Sequence, residues 1–170
     1  MKENLAFVLD FDGIFTDGKM YYSKDGKVMK AVGCDDWELI KGLSEYIPVT
    51  IITADERGFP ITRKRIEEEM HMELYLVREK AKGRWEWIKN KYPTQKIIFM
   101  GDSLSDYYSL KSADLGITVM DALDVVKGNA DVVIPRRGGD RAVAEAVLYI
   151  NTKYNIFNVY DLVEQKEKHK

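Results

Sequence analysis

The sequence has very few residues of the types that build disulfides and zinc sites: one cysteine and two histidines among 170 residues. A disulfide needs two thiols, so Cys34 cannot form one within the chain, and we interpret it as a small apolar or loop residue. His71 and His169 have no partner at metal-ligand spacing, so the pattern indicates no zinc site.

Long apolar runs and one-sided charge are also lacking. The N-terminus passes from Lys2 and Glu3 directly into a short strand pattern, without a membrane-spanning or signal-like segment, so we expect a cytoplasmic protein with no membrane partner. The 26 basic and 28 acidic residues are mixed along the chain and form no basic stripe. Nucleic acid is therefore not expected as a partner.

Short runs of apolar and β-branched residues alternate with segments of helical spacing. Strands that are apolar on both faces and separated by helices indicate a parallel sheet covered on both sides. We therefore predict an α/β fold, a doubly wound, Rossmann-like parallel sheet, in a single domain spanning residues 1–170. The predicted strands are 6–9, 49–53, 74–77, 97–100, 115–119 and 132–134, and the predicted helices are 36–46, 60–70, 82–91, 104–112, 122–128 and 141–153.

One segment, 19–32, breaks this alternation. It has two short β-prone arms around Asp25-Gly26, a dipeptide suited to a tight turn, and predicts a protruding β-hairpin flap. Such a flap could cover a site or contact another subunit, although a plain excursion between strand and helix is the alternative. The C-terminal tail, 154–170, either packs on the sheet or reaches a neighbour, and its residues do not decide between the two.

Polar side chains follow several predicted strands at the point where each strand ends. Asp10 and Asp12 end the first strand and Thr53 ends the second. Asp102 and Asp106 follow the fourth, and lysines 80 and 82 follow the third. Asp-x-Asp-Gly alone is equally compatible with a polar turn. Because the carboxyl ends of parallel strands meet at one edge, the recurrence predicts one assembled site there.

These residue types indicate phosphate chemistry. Closely spaced carboxylates repel one another, and Mg²⁺ is the usual cation that holds them ionised together. Lysine and threonine supply donors for an anion, and phosphate suits both the donors and the metal. A carboxylate can attack phosphorus to form an aspartyl-phosphate, while a second one moves protons.

The four groups, in this order and at these spacings, resemble the motifs of the haloacid dehalogenase-like phosphohydrolases. The residues Asp17-Gly18, the hairpin and the segment 137–143 resemble the capless branch. That branch includes 3-deoxy-D-manno-octulosonate 8-phosphate phosphatase and relatives acting on nine-carbon sialic-acid-type 9-phosphates. The resemblance covers the chain from about residue 5 to about residue 150.

The resemblance implies a role for each carboxylate. Asp10 is expected to be the nucleophile and a Mg²⁺ ligand. Asp12 is expected to be the general acid and base, with its backbone carbonyl as another ligand. Asp102 is expected to complete the protein's share of the metal ligands, with Asp106 beside it as a ligand or a supporting carboxylate.

Phosphate is expected to be held by Thr53 and one lysine. Lys82 is preferred because it directly precedes Gly83 and the helix start, and Lys80 is the alternative. Relatives commonly follow the threonine with Gly-Arg, whereas here Ala54-Asp55 follows, so Arg57 is the candidate for the missing cation.

Two further departures concern the loops around the site. Ser103 stands where relatives often have a second aspartate, which leaves one fewer carboxylate near the metal. Arg141 stands where relatives tend to have glycine, and with Arg137 it either faces the substrate or is a solvated charge at a helix start.

The resulting prediction is a Mg²⁺-dependent phosphomonoesterase for a 2-keto-3-deoxy sugar acid phosphate. The resemblance implies a homotetramer in which hairpins build a central barrel and a neighbour partly caps each site. Alternatives are a phosphatase for other sugar or nucleotide phosphates and a non-catalytic oligomerisation domain related to the C-terminal domain of some CMP-sialic acid synthetases. The presence of both carboxylates of the first motif, Thr53 and Asp102 favours an enzyme.

Overall fold

The computed structural model describes residues 3–79 and 81–162 and contains one six-stranded parallel sheet and a separate hairpin. The predicted parallel α/β fold is confirmed. The strands are β1 (Leu5–Asp10), β2 (Tyr21–Ser23), β3 (Gly26–Met29), β4 (Val49–Thr53), β5 (Leu74–Leu76), β6 (Lys96–Met100), β7 (Leu115–Val119) and β8 (Val132–Ile134). The α-helices are α1 (Asp36–Ser44), α2 (Phe59–Arg63), α3 (Lys82–Lys91), α4 (Tyr107–Ser112), α5 (Asp124–Lys127) and α6 (Ala142–Tyr154).

The sheet has the strand order β5-β4-β1-β6-β7-β8, so β1 lies in the middle with β4 and β6 as neighbours. All six residues of β1 are buried, as expected for a strand that is covered on both faces. The register pairs Asp10 with Ile52 and Leu9 with Met100, so these strands end at the same level. The strand order reverses beside β1, which is where α/β sheets open a crevice for ligands.

Two predicted helices are not regular over their whole length. The segment predicted as a helix over 60–70 is α2 followed by a π-helical stretch, Lys64–Glu69, in which the N–H of Met70 donates to the carbonyl of Arg65. The segment predicted over 104–112 begins with a 3₁₀ turn, Leu104–Asp106, before α4. A local side-chain hydrogen-bond pattern fixes that turn and is described with the site below.

The predicted hairpin is confirmed, with β2 and β3 antiparallel. Its two sides differ in exposure. Met20, Tyr22 and Val28 are more than half exposed, whereas the side chains of Lys27 and Lys30 are only 5% and 3% exposed. The flap therefore presents apolar residues outward and turns two lysines inward.

Helix α6 is tied to the start of α1 by a buried carboxylate. Asp36 is 2% exposed, and its Oδ1 accepts the backbone N–H of Ala144 at 2.8 Å. That N–H lies in the first turn of α6 and has no partner within the helix. Burial raises the pKa of Asp36 to about 6, although the backbone hydrogen bonds oppose the shift.

The described part of the chain contains no helix with the length and apolarity needed to cross a membrane. Residues 163–170, the end of the segment expected to form the C-terminal tail, lie outside the described residues.

We predict that Asp36→Asn removes part of the pH dependence of folding stability. The native pKa of about 6 lies above the ordinary value of 3.8, so the folded protein keeps a proton that the unfolded chain releases in this interval. The contribution of Asp36 is thus present below about pH 4 and is lost as the pH rises through 6. Relative to wild type, the variant should gain on the order of 2 kcal/mol between pH 4 and 7 by urea denaturation. Asp35→Asn is the control, and parallel wild-type and Asp36→Asn profiles would contradict the prediction.

Candidate active site

Three carboxylates meet at the carboxyl end of β1 and β6. Asp10 is the last residue of β1, and Asp102 and Asp106 follow β6. One oxygen from each of the three lies within 4.8 Å of the others. Asp106 is fully buried and Asp10 is 6% exposed, so water does little to screen the repulsion between their charges.

A buried arginine compensates part of this charge. Arg84, from α3, is 1% exposed, and its Nη1 donates to Asp10 Oδ2 at 3.4 Å and also to Asp106 Oδ1. Among the described residues, its Nε has no hydrogen-bond partner. Arg84 was not among the site residues predicted from the sequence. The available signal was its spacing of four from Ile88, since both residues lie on the buried face of α3.

Asp106 shapes the loop that carries Asp102. Its Oδ2 accepts the backbone N–H groups of Asp102 at 3.2 Å and Ser103 at 3.0 Å, and the hydroxyl of Ser103 at 2.7 Å. Ser103 and Asp106 form a reciprocal capping box, which fixes the 3₁₀ turn. Because Arg84 occupies its other oxygen, Asp106 has protein donors on both oxygens. Ser103, which replaces an expected carboxylate, thus serves to hold Asp106.

The remaining negative charge suits a divalent cation. Burial raises the pKa of Asp102 to about 7, and the charge of Asp106 adds to the effect. Burial also raises the pKa of Asp10, with Asp106 adding to the shift and Arg84 opposing it. Asp102 Oδ1 is buried without a partner in the described residues. Three ionised carboxylates and one guanidinium leave two negative charges on hard oxygen ligands, which fits Mg²⁺.

Asp12 stands beside this cluster with its side chain one-third exposed. Thr53, the last residue of β4, donates its hydroxyl to Asp12 Oδ2 at 2.8 Å. Lys30, which follows β3, places its Nζ 2.6 Å from Asp12 Oδ1. The structure therefore brings the predicted pair, Asp12 and Thr53, into direct contact. Lys30 is a second cation at the site that was not predicted from the sequence.

The cation that α3 supplies to the carboxylates is Arg84, and Lys82 is placed elsewhere. Lys82 begins α3 with its side chain 74% exposed, and its Nζ lies 3.8 Å from Glu86 one turn later. A side chain two positions from Arg84 points to a different side of the helix, which explains the difference. Lys80, the alternative, lies outside the described residues.

The predicted arginines lie at the surface. Arg57 and Arg137 are exposed, and Arg141 donates to Asp35 at 2.6 Å with about half of its side chain exposed. Gly138 and Gly139, between Arg137 and Arg141, lie against the loop that follows β1. A Cβ at Gly138 would lie 1.9 Å from the carbonyl oxygen of Gly13, so only glycine allows this close approach.

The chain is similar to known proteins in sequence and in fold. No family model matches the chain. The 3-deoxy-D-manno-octulosonate 8-phosphate phosphatase KdsC of Haemophilus influenzae is 28% identical over 164 residues, which cover 92% of this chain and 89% of that protein. The resemblance predicted from the motifs is confirmed.

Two solved structures show the same fold. One is the 3-deoxy-D-manno-octulosonate 8-phosphate phosphatase of Moraxella catarrhalis in complex with magnesium, phosphate and 3-deoxy-D-manno-octulosonate. It has a TM-score of 0.76 and 24% identity, covering 95% of this chain and 92% of that chain. The other is named as a haloacid dehalogenase superfamily (subfamily III A) hydrolase of Legionella pneumophila. It has a TM-score of 0.80 and 23% identity, covering 97% of this chain and 90% of that chain.

We predict that Arg84→Met destabilises the metal-free protein by about 3–5 kcal/mol, because it leaves buried carboxylates without their cation. Chemical denaturation in the presence of a chelator measures the change. Lys82→Met is the matched control on the same helix and should stay within about 0.5 kcal/mol of wild type, since its ion pair is exposed. Equal losses in the two variants would contradict the assignment of Arg84.

We predict that Gly13→Ala weakens Mg²⁺ binding at least tenfold. A Cβ at this position would lie 2.1 Å from Asp102 Oδ2 and would displace that carboxylate. Gly18→Ala is the control, because it shares a positive φ and its backbone cost but meets only Gly13 Cα, at 3.6 Å. Isothermal titration with Mg²⁺ measures both, and the prediction fails if the two variants bind alike.

Proposed function

We propose that this protein is a Mg²⁺-dependent phosphomonoesterase that hydrolyses a 2-keto-3-deoxy sugar acid phosphate. The candidate substrates are 3-deoxy-D-manno-octulosonate 8-phosphate and a nine-carbon sialic-acid-type 9-phosphate. The observation that carries the proposal is the cluster of Asp10, Asp102 and Asp106 around buried Arg84, with Asp12 beside it. Relatives named as 3-deoxy-D-manno-octulosonate 8-phosphate phosphatases support the substrate class.

Mg²⁺ would be held by the carboxylates of Asp10 and Asp102 and by the backbone carbonyl of Asp12. Asp106 would orient Asp102 and the loop, since both of its oxygens already accept protein donors. When bound, the ion supplies positive charge to the phosphoryl oxygens and to the attacking carboxylate. Arg84 balances one of the three carboxylate charges from within the protein.

The reaction proceeds in two steps. A carboxylate oxygen of Asp10 attacks phosphorus, the ester P–O bond breaks, and Asp12 gives a proton to the leaving alkoxide. Asp12 then takes a proton from water, the resulting hydroxide attacks phosphorus, and the bond to Asp10 breaks to release phosphate. Thr53, whose hydroxyl donates to Asp12 at the end of β4, would donate to a phosphoryl oxygen of the substrate.

The surface of the flap supports an assembly. Met20, Tyr22, Val28 and Met29 are each more than half exposed on one hairpin, and an exposed apolar patch favours a protein contact. A homotetramer built through the hairpins would cover these residues, and a neighbouring subunit would partly cap each site. The protein would act in the cytoplasm on a soluble sugar acid phosphate.

One observation favours a different substrate on the same scaffold. Asp55 follows Thr53 where relatives commonly have a cation, and it forms ion pairs with Lys27 and Lys30. The lysines are thereby neutralised within the protein and attract a substrate carboxylate less. A phosphate ester of another sugar or of a nucleotide, carrying less negative charge, is the second candidate.

We predict that Asp10→Asn abolishes Mg²⁺-dependent phosphate release, by at least about 10³-fold, because the amide cannot attack phosphorus. Asp25→Asn at the exposed hairpin turn is the matched control and should release phosphate at the wild-type rate. Equal release from wild type and Asp10→Asn, with Mg²⁺ and without it, would refute the nucleophile and with it the proposed reaction.

The substrate class is tested with the wild-type protein and a panel of phosphate esters. It includes eight- and nine-carbon keto sugar acid phosphates, the corresponding neutral sugar phosphates and nucleoside monophosphates. A kcat/KM for one sugar acid phosphate at least tenfold above all others supports the first candidate. A preference for the neutral sugars or the nucleotides supports the second.

A further inference from the structure

Lys30 is the described flap residue whose charged group reaches the acid and base of the proposed reaction. Its Nζ lies 2.6 Å from Asp12 Oδ1, 2.9 Å from Asp55 Oδ2 and 2.8 Å from the hydroxyl of Thr62. An ammonium group has three N–H donors, and these contacts use all of them. The side chain is 3% exposed, so the ammonium is held in one place by protein groups.

Asp12 is consequently held at both carboxyl oxygens. Thr53 donates to Oδ2 from the end of β4, and Lys30 binds Oδ1 from the flap. The terminal torsion of an aspartate is broad, so one contact alone would leave the carboxyl free to rotate. In the proposed reaction the Asp12 carboxyl gives a proton to the leaving oxygen of the substrate and later takes one from water. Both transfers need the carboxyl in a fixed orientation.

The geometry points to Lys30 as a positioning residue that fixes the carboxyl of Asp12 and links the seating of the flap to proton transfer. The inference rests on the proposed function, in which Asp12 is the acid and base. It goes beyond that function because Lys30 belongs to the flap and lies outside the four strand-end motifs. Withdrawal of the flap would remove one of the two contacts on Asp12.

Lys27 provides a matched comparison within the same hairpin. It too is buried, at 5% side-chain exposure, and it too forms an ion pair with Asp55. Although burial opposes it, hydrogen bonds from the two lysines lower the pKa of Asp55 to about 2, so this anchor stays ionised. Lys27 differs in one respect: it forms an ion pair with Asp55, whereas the contact on Asp12 comes from Lys30.

The kinetic test uses 4-nitrophenyl phosphate, whose leaving group departs without a proton, and compares Lys30→Met with Lys27→Met. Phosphoryl transfer to Asp10 from this ester does not need Asp12, whereas hydrolysis of the aspartyl-phosphate does. For Lys30→Met we expect a stopped-flow burst of one nitrophenolate per site at the wild-type rate, followed by turnover reduced at least tenfold. Lys27→Met should keep both rates within about threefold of wild type.

A loss of flap anchoring alone would give a different result. It would lower the burst and the steady-state rate together, and it would affect the two variants alike. A burst and a steady-state rate that fall together in Lys30→Met, or equal effects of the two substitutions, would overturn the inference. Lys30→Arg, which keeps a cation at this position, should restore part of the steady-state rate.

A second readout does not depend on activity. Crystal structures of the two variants should show the Asp12 carboxyl rotated away from its wild-type position in Lys30→Met and unmoved in Lys27→Met. An unmoved Asp12 in Lys30→Met refutes the positioning role even if the wild type is an active phosphatase. A rotated Asp12 in a protein that hydrolyses no phosphate ester refutes the proposed function and leaves the positioning role standing.

Discussion

The mutual repulsion of three closely spaced carboxylates, two of them buried, is the constraint on which the rest of the site depends. Asp10, Asp102 and Asp106 lie within a few ångströms of one another, and Asp10 and Asp106 are buried, so their charge has to be balanced locally. Arg84 balances one charge and leaves two for a cation. Every other feature of the site holds a carboxylate in place or brings a donor to it.

The sheet provides the rigid part of this arrangement. The central strand β1 ends in Asp10 and pairs on its two sides with the strands that deliver Thr53 and Asp102. The capping box of Ser103 and Asp106 then fixes the loop after β6. Because these positions are set by backbone pairing and short loops, the carboxylates cannot move apart to relieve their repulsion. A bound cation relieves it instead.

The flap contributes charge to the same site. Its two inward lysines are neutralised by Asp55 and Asp12, so the hairpin is attached to the body by ion pairs, whereas its outer face is apolar. The ion pairs of Lys27 and Lys30 hold the inner side of the hairpin against the body of the protein. The hairpin is therefore suited to an element whose position matters for the chemistry and whose outer face can meet another protein surface.

The sequence by itself determined the parallel sheet, the hairpin and the identity of the strand-end carboxylates. Alternating strand and helix patterns specify a doubly wound sheet, and such a sheet brings strand ends to one edge whatever the details of packing. The contact of Thr53 with Asp12 follows from the same rule, since β1 and β4 are neighbours.

Only the tertiary structure decided which cations reach those carboxylates. Lys82 and Arg84 are two residues apart on one helix and point to different sides of it, so the packing of α3 decides which of them faces the carboxylates. Lys30 is twenty residues distant from Asp10 along the chain and arrives through the fold of the hairpin. Strand ends are positioned by backbone pairing, which leaves a pattern in the sequence. Long cationic side chains are positioned by the packing of the elements that carry them, which leaves a weaker pattern, for Arg84 its spacing of four from Ile88.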